Sequence, residues 1–468
     1  MGKFYVAGEK KLRPDVYQRY TNVGGVELAG AINGIVATVV KSSWGPLRKV
    51  ITLENQAEAD KILGIGGTTD VIREIFKGGA IKVYAVRLGS TGSKSTSKLN
   101  DEDGMAAINI STKYDGDRVF SYIIRNILGS ENRMEFILLE GTEVVEKRAF
   151  DKENSVDNLI VELKDSNYLI ASKADEYSGS GILKQVTQER MNAGTNPETT
   201  TQSYSNAFEL LEPYIFNTIC VDTDDTAAHT LLAAFTERIY MNGTMNFAVV
   251  GEPRSVDFET RLKHSKSYND YNVVYFGHSW KDLNGDVFEG YLGTARIAGL
   301  IAAVPSNETI TRRSIKGAVE ILEPLTNDQI ERSIKSGMIT LRYNRQGVIV
   351  IEKGITTLVS PEGQDDEGWK KVKRCKVRFE AFQRISDTLE KYIGIPNDDD
   401  SWALIIQTIR GVLKEMAGER KIFADFDAWL DPLYPPEGDS AWFIIRINDI
   451  DSLEQIYLNY HLRFSPNR

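Results

Sequence analysis

The sequence predicts a multidomain α/β protein, and three observations predict it. Between residues 204 and 358, helical and strand periodicities alternate, the pattern of a doubly wound domain with a mainly parallel sheet. Two polar linkers, residues 89–98 and 192–203, bracket a stretch of different character, which marks an insertion into a larger domain. Near the carboxyl end, Ile456, Leu458, Tyr460, Leu462 and Phe464 alternate strictly with Tyr457, Asn459, His461 and Arg463. That is the period of a strand with one buried face. An apolar strand at a chain end must be paired and covered, by its own domain or by another copy of the chain.

Residues 1–25 are polar and irregular, with Pro14 and a Gly24-Gly25 pair, and read as an arm. A strand at 32–40, broken by Gly34, leads to a turn at Trp44-Gly45-Pro46. A short helix is expected at 54–63. A second starts at the Thr68-Thr69-Asp70 cap and buries Val71, Ile72, Ile75 and Phe76 at helical spacing. A strand at 81–88 completes a β-α-α-β stretch expected to complete the sheet of the later domain. Within the insertion, alternating runs at 118–124, 134–139 and 159–163 predict a small, mainly β module. The α/β pattern then resumes. Helices are expected at 206–211, 227–241, 258–265 and 291–303, and strands at 214–221, 245–250 and 273–276. After an acidic loop at 362–368 come two helices, 374–392 and 401–415, the second capped by Asp398-Asp399-Asp400. Strands at 442–447 and 456–464 close the chain.

At 468 residues the chain is too long for one core, and 41% hydrophobic with 26% charged residues is enough to fold most of it. No apolar run approaches the ~20 residues that span a bilayer. Met1-Gly2-Lys3-Phe4-Tyr5 lacks an apolar export signal, and Val6 spoils a myristoylation signal. No membrane partner is expected. A net charge of −10 argues against a nucleic-acid ligand, which needs a positive footprint. Cys220, in an apolar strand-like run, reads as a core thiol. With Cys375 it forms neither a metal spacing nor a disulfide framework, which points to synthesis in a reducing cytosol.

Motifs for catalysis fail one by one. Of four histidines, His229 lies early in an amphipathic helix and reads as structural. Asp222, His264 and a serine could form a triad, but no serine sits in a G-x-S-x-G elbow, and Tyr177-Ser178-Gly179-Ser180-Gly181 lacks the first glycine. In Gly64-Ile65-Gly66-Gly67 the third glycine of a dinucleotide fingerprint is replaced by Thr69. The run from Gly89 to Ser95 has the wrong lysine spacing for a phosphate loop. Asp222, Asp224 and Asp225 suit either a metal or a helix cap. The expectation is no catalytic residue, no cofactor and no metal.

A positive signal comes from motifs in order. Ala295-Arg296-Ile297-Ala298-Gly299-Leu300-Ile301-Ala302-Ala303, followed by Pro305-Ser306-Asn307-Glu308-Thr309-Ile310-Thr311, resembles the signature segment of contractile phage tail sheath proteins. Pro14-Asp15-Val16-Tyr17 is similar to the family's Pro-Gly-Val-Tyr motif, with Asp15 in place of glycine. Gly34-Ile35-Val36-Ala37, Trp44-Gly45-Pro46 and Phe76 with Val83-Tyr84-Ala85-Val86-Arg87 resemble the strand, turn, helix and strand that follow. Thr112-Lys113-Tyr114-Asp115-Gly116 resembles the Ala-Lys-Tyr-Pro-Gly approach to the outer module. Thr356-Thr357-Leu358 stands where the family has Arg-Thr-Leu. The order holds from residue 14 to the carboxyl end, and the lineage resembles phages and phage-tail-like (R-type) bacteriocins of Gram-positive bacteria.

The resemblance implies a non-enzymatic structural subunit that stacks in hexameric rings around a tail tube and contracts to drive the tube through a cell envelope. It implies an α/β domain of subtilisin-like topology (residues 26–98 and 201–358), an inserted mainly β outer domain (99–200), an α+β carboxyl-terminal domain (359–448) and arms at 1–25 and 449–468. Its partners would be other copies of itself, the tube protein, and baseplate and terminator proteins. It would be made in the bacterial cytoplasm and end in a tail or tail-like particle, extracellular after lysis. Intersubunit pairing is expected at Val16, Tyr17, Ile456, Leu458, Tyr460, Leu462 and Phe464. The locally basic Lys370, Lys371, Lys373 and Arg374 are expected to face the tube. A baseplate component and an α/β enzyme remain as other readings.

Overall fold

The computed structural model describes Lys3–Phe4, Tyr17–Gln18, residues 33–361 and residues 366–462. The chain divides into two compact units, one of residues 1–36, 77–81 and 215–468, the other of residues 37–76 and 82–214.

In the second of these units, helix α1 (Gln56–Leu63) begins where the Asn55 side chain accepts the Glu58 amide. Helix α2 (Asp70–Gly78), whose last two residues count with the first unit, buries Val71, Ile72 and Ile75, while Phe76 is only half-buried. Strand Lys82–Arg87 runs antiparallel to Val50–Leu53, with Val86 opposite Val50. The inserted module holds a four-stranded antiparallel sheet, in the order Glu143–Asp151, Arg133–Glu140, Phe120–Asn126, Val186–Arg190, and a three-stranded one, Leu169–Lys173, Ala106–Thr112, Thr96–Asn100. Leu99, Ile108, Phe120, Tyr122, Phe136 and Leu138 fill the core between them. Helix α3 (Ser155–Glu162) covers this core, and helix α4 (Thr201–Leu211) follows the module. Trp44, from the Trp-Gly-Pro turn, enters the module's core edge-on to Tyr114 and Phe120, at 5.2 and 5.6 Å between ring centres. Buried Arg87 donates to three carbonyls, Ser42 (2.8 Å), Gly45 (2.7 Å) and Asp115 (2.8 Å).

In the other unit, strands Thr218–Cys220, Phe247–Gly251, Val273–Phe276 and Met338–Ile339 pair in that order, all parallel. Helices α5 (Thr226–Met241), α6 (Phe258–Tyr268), α7 (Gly290–Ala303) and α8 (Asn327–Lys335) accompany them. Helix α7 is buried nearly all round, as its apolar composition requires. Its small residues answer close backbone approaches: a Cβ on Gly78 would lie 2.5 Å from the Arg296 carbonyl and 2.8 Å from the Gly299 Cα. Beyond the sheet, α9 (Val372–Leu389) and α10 (Asp399–Gly418) pack with the antiparallel pair Asp427–Leu430 and Phe443–Arg446 around Val377, Ala381, Ile385, Ile409, Leu413 and Met416. Asp398 caps α10, its carboxylate accepting the Ser401 amide at 2.9 Å.

Three expectations are corrected. Residues 159–163 lie in α3 and a following 3-10 turn, not in a strand, because the buried residues are Val156, Leu159 and Leu163, which is helical spacing. The strand expected over 214–221 shrinks to Thr218–Cys220. The strand expected over 456–464 does not form among the described residues up to 462. A strand needs a ladder partner, and none lies beside this segment among them.

Candidate assembly site

The carboxyl-terminal segment changes character at residue 455. Up to Glu454 it is tied down. The Asp449 carboxylate accepts from Arg374 (2.8 Å to Nη2, and from Nε) and from Arg378 (2.9 Å), and Arg378 also reaches Asp366 at 3.0 Å. The Ile450 amide donates to the Lys421 carbonyl at 3.2 Å, and Lys373 Nζ to the Ile450 carbonyl at 3.2 Å. Lys371 pairs with Asp451 (2.7 Å) and Glu454 (3.2 Å), and Thr311 donates to Glu454 at 2.9 Å. Burial alone would raise the Asp449 carboxyl, but the two guanidiniums outweigh it and hold it below the usual carboxylate range. Arg378 also lies 4.4 Å over the Trp369 ring, which is fully buried.

Beyond Glu454 the ties stop. Among the described residues 455–462 the hydrogen bond present is local, Tyr457 Oη to Gln455. Ile456, Leu458, Tyr460 and Leu462 are 70, 68, 74 and 91% exposed. Apolar side chains exposed at this spacing keep the sequence pattern of a strand without a ladder partner among the described residues. Phe464 lies outside the described residues, as does Val16. Tyr17 belongs to the short strand Tyr17–Gln18, parallel to Lys3–Phe4. The Asp427–Leu430 and Phe443–Arg446 pair is two-stranded, with half-buried faces and further edges that take no strand among the described residues.

The basic run is therefore placed by its own chain. Lys371, Lys373 and Arg374 hold residues 449–454, with Lys373 only 7% exposed, and Lys370 pairs with Glu367 at 2.9 Å. Sequence spacing showed the cluster of cations but not the acidic partners of Lys371 and Arg374, which lie 75 to 83 residues further on.

The residues weighed for catalysis are spread out. His264 Nδ1 faces the buried Glu252 carboxylate at 2.9 Å rather than Asp222, and Tyr275 Oη also donates to Glu252. Together with Thr226, His229, Thr230, Ser267 and Tyr268 these line a cavity of about 280 Å³. His278 donates from Nε2 to the Glu323 carbonyl (2.6 Å) and accepts the Leu341 amide at Nδ1 (3.1 Å); burial pushes it down to about 4, so it stays neutral. Asp225 caps α5 through the Ala227 amide at 3.0 Å. Asp224 accepts the Tyr291 amide at 2.7 Å, at the start of α7. No cluster of metal-ligating side chains occurs among the described residues.

Two interactions had no sequence signal. Helix α7 ends in Ala302-Ala303, with no polar group of its own for its last carbonyls. Lys376 of α9, buried, donates to the Ile301 carbonyl at 2.6 Å and to that of Val304. Burial pushes its ammonium down to about 7. Asp224 at one end and Lys376 at the other thus oppose the helix dipole with the right signs.

Residues 198–357 match the family described as phage tail sheath protein central domain. The chain is 22% identical over 482 residues to the uncharacterized protein YqbK of Bacillus subtilis, covering 99% of this chain and 100% of that protein. It is 26% identical over 216 residues to the tail sheath protein of Bacillus phage SP01, covering 42% of this chain and 38% of that protein. Its fold is that of the sheath tail protein of Desulfitobacterium hafniense (TM-score 0.73, 18% identity, 93% of this chain and 100% of that one). It is also similar to the helical sheath of the anti-feeding prophage in its contracted state (TM-score 0.57, 10% identity, 97% and 99%). Residues 198–357 thus match the phage tail sheath central domain, and the fold of the chain resembles that of tail sheath proteins.

Proposed function

We propose that this chain is the structural subunit of a contractile tail sheath, polymerising as hexameric rings around a tail tube and shortening to drive the tube through a target envelope. The observation that carries this reading is the arm. Residues 456–462 present exposed apolar side chains at strand spacing, and the Asp427–Leu430 and Phe443–Arg446 pair of the same chain has outer edges that take no strand among the described residues. An arm from one copy added to that pair on another satisfies both, by backbone hydrogen bonds that survive rotation of the domains they link. Val16, Tyr17 and Phe464 belong to the same exchange.

On this reading residues 26–98 and 201–358 form one α/β domain of subtilisin-like topology, 99–200 the outer domain, 359–448 the carboxyl-terminal domain, and 1–25 and 449–468 the arms. The subunit has no catalytic role. The tube lies against the carboxyl-terminal domain near the start of α9, where Lys370 and Lys371 keep part of their charge outward while Lys373 and Arg374 serve the chain itself. Baseplate and terminator proteins cap the polymer. The subunit is made in the bacterial cytoplasm and leaves with the particle.

Sedimentation and negative-stain microscopy of the concentrated protein should show rings, tubes or sheath-like polymers. A strictly monomeric chain that turns over a substrate would refute the reading.

A further inference from the structure

We propose that Asp449, Arg374 and Arg378, with Lys371 and Glu454, form a root joint that fixes where the carboxyl-terminal arm leaves the subunit and delivers its pull to the central domain. This rests on the arm reading above. The contacts that hold the segment end at Glu454, and the exposed apolar alternation begins two residues later, at Ile456. Anchoring and engaging parts are thus adjacent but separate.

The chemistry of the joint suits a fixed point. One carboxylate receives two guanidiniums in near-bidentate geometry, almost out of contact with water: the side chains of Asp449, Arg378 and Arg374 are 5, 8 and 16% exposed. Such pairs are directional, and separating them leaves buried charge without a partner. Gly368 makes room for the cluster, since a Cβ there would lie 2.4 Å from the Arg374 guanidinium carbon. Arg374 and Arg378 lie one turn apart on α9. Between them in sequence, Lys376 reaches the carboxyl end of α7. Tension on an engaged arm therefore acts on α9 at Asp449, and α9 is tied by Lys376 to α7, the buried helix of the central domain. Were the arm flexible from residue 449, it would reach neighbouring copies over a wider range and transmit less force.

The test uses the full chain and the variants Asp449→Asn, Asp449→Glu and Lys371→Gln. Hydrogen exchange of the unassembled parent should show protection up to about residue 454 and fast exchange from 455 on. Asp449→Asn should exchange about tenfold faster or more across 449–454, with α10 and the parallel sheet unchanged, and Asp449→Glu should restore most of the protection. Polymers of Asp449→Asn, by sedimentation and microscopy, should be shorter or irregular. If Asp449→Asn loses its fold, Lys371→Gln, which cuts the Lys371 ties to Asp451 and Glu454 and leaves the Thr311 bond to Glu454, should still speed exchange across 451–453. Unchanged protection in both variants overturns the joint. So does wild-type-like polymer from a variant whose root has been released. A parent that never polymerises refutes the sheath reading instead, and the exchange measurement still decides whether the joint exists.

Discussion

Replacing Lys376 by Met probes the tie between α9 and α7. At neutral pH two effects oppose. Two carbonyls, those of Ile301 and Val304, lose their donor, at about 1–3 kcal/mol for each left buried and unpaired. Against this, an ammonium no longer has to be buried, a cost visible in the fall of Lys376 to about 7. These nearly cancel, so stability near pH 7 should change little. The pH dependence separates them. The folded state holds the Lys376 proton less tightly than the unfolded chain, where lysine titrates near 10.4. Between about pH 7 and 10 the unfolded state therefore carries the extra proton, and this group adds about 1.4 kcal/mol of stability per pH unit as pH rises. Methionine lacks the term. Urea unfolding followed by tryptophan fluorescence from about pH 7.5 to 9.5 should show the parent gaining about 2–3 kcal/mol over Lys376→Met. Parallel profiles for the two proteins would refute the buried-ammonium account of this helix end.

Leu458→Pro should abolish polymerisation and leave the melting of the unassembled chain unchanged, because residue 458 is exposed there and needs its amide only in an added strand; calorimetry and sedimentation together check it. Arg87→Met should cost about 2–4 kcal/mol in chemical denaturation, since the Ser42, Gly45 and Asp115 carbonyls lose their shared donor. Burial pushes Asp224 up to about 6, so the folded state binds more protons than the unfolded one between about pH 4 and 6, and this group's contribution falls as pH rises through that window. Asp224→Asn, which can still accept from the Tyr291 amide, should lose less stability than the parent between those pH values.

Much of the fold was legible in local pattern. Strand Val273–Phe276 and helices α5, α7 and α10 stand within a few residues of their expected places, because a buried face imposes its period on the residues that form it. The Asp398 cap was legible too, since capping acts over three residues. The run at 159–163 misled because consecutive apolar residues fit either period, and only packing against the module's sheets selects Leu159 and Leu163 as the inward pair.

By itself the sequence determined where much of the chain becomes helix or strand, that the histidines and glycines make no complete catalytic motif, and that the carboxyl end carries an apolar strand pattern. Tertiary structure alone decided what the charges do. The basic run at 370–374 reads as an outward patch until Asp449, Asp451 and Glu454 arrive beside it from 75 to 83 residues away. The small-residue helix α7 reads as uncapped until Asp224 and Lys376 meet its two ends. The physical reason is range. Burial and capping are set by neighbours within a turn, whereas an ion pair depends on which distant segments the fold brings within about 4 Å, and no periodicity records that.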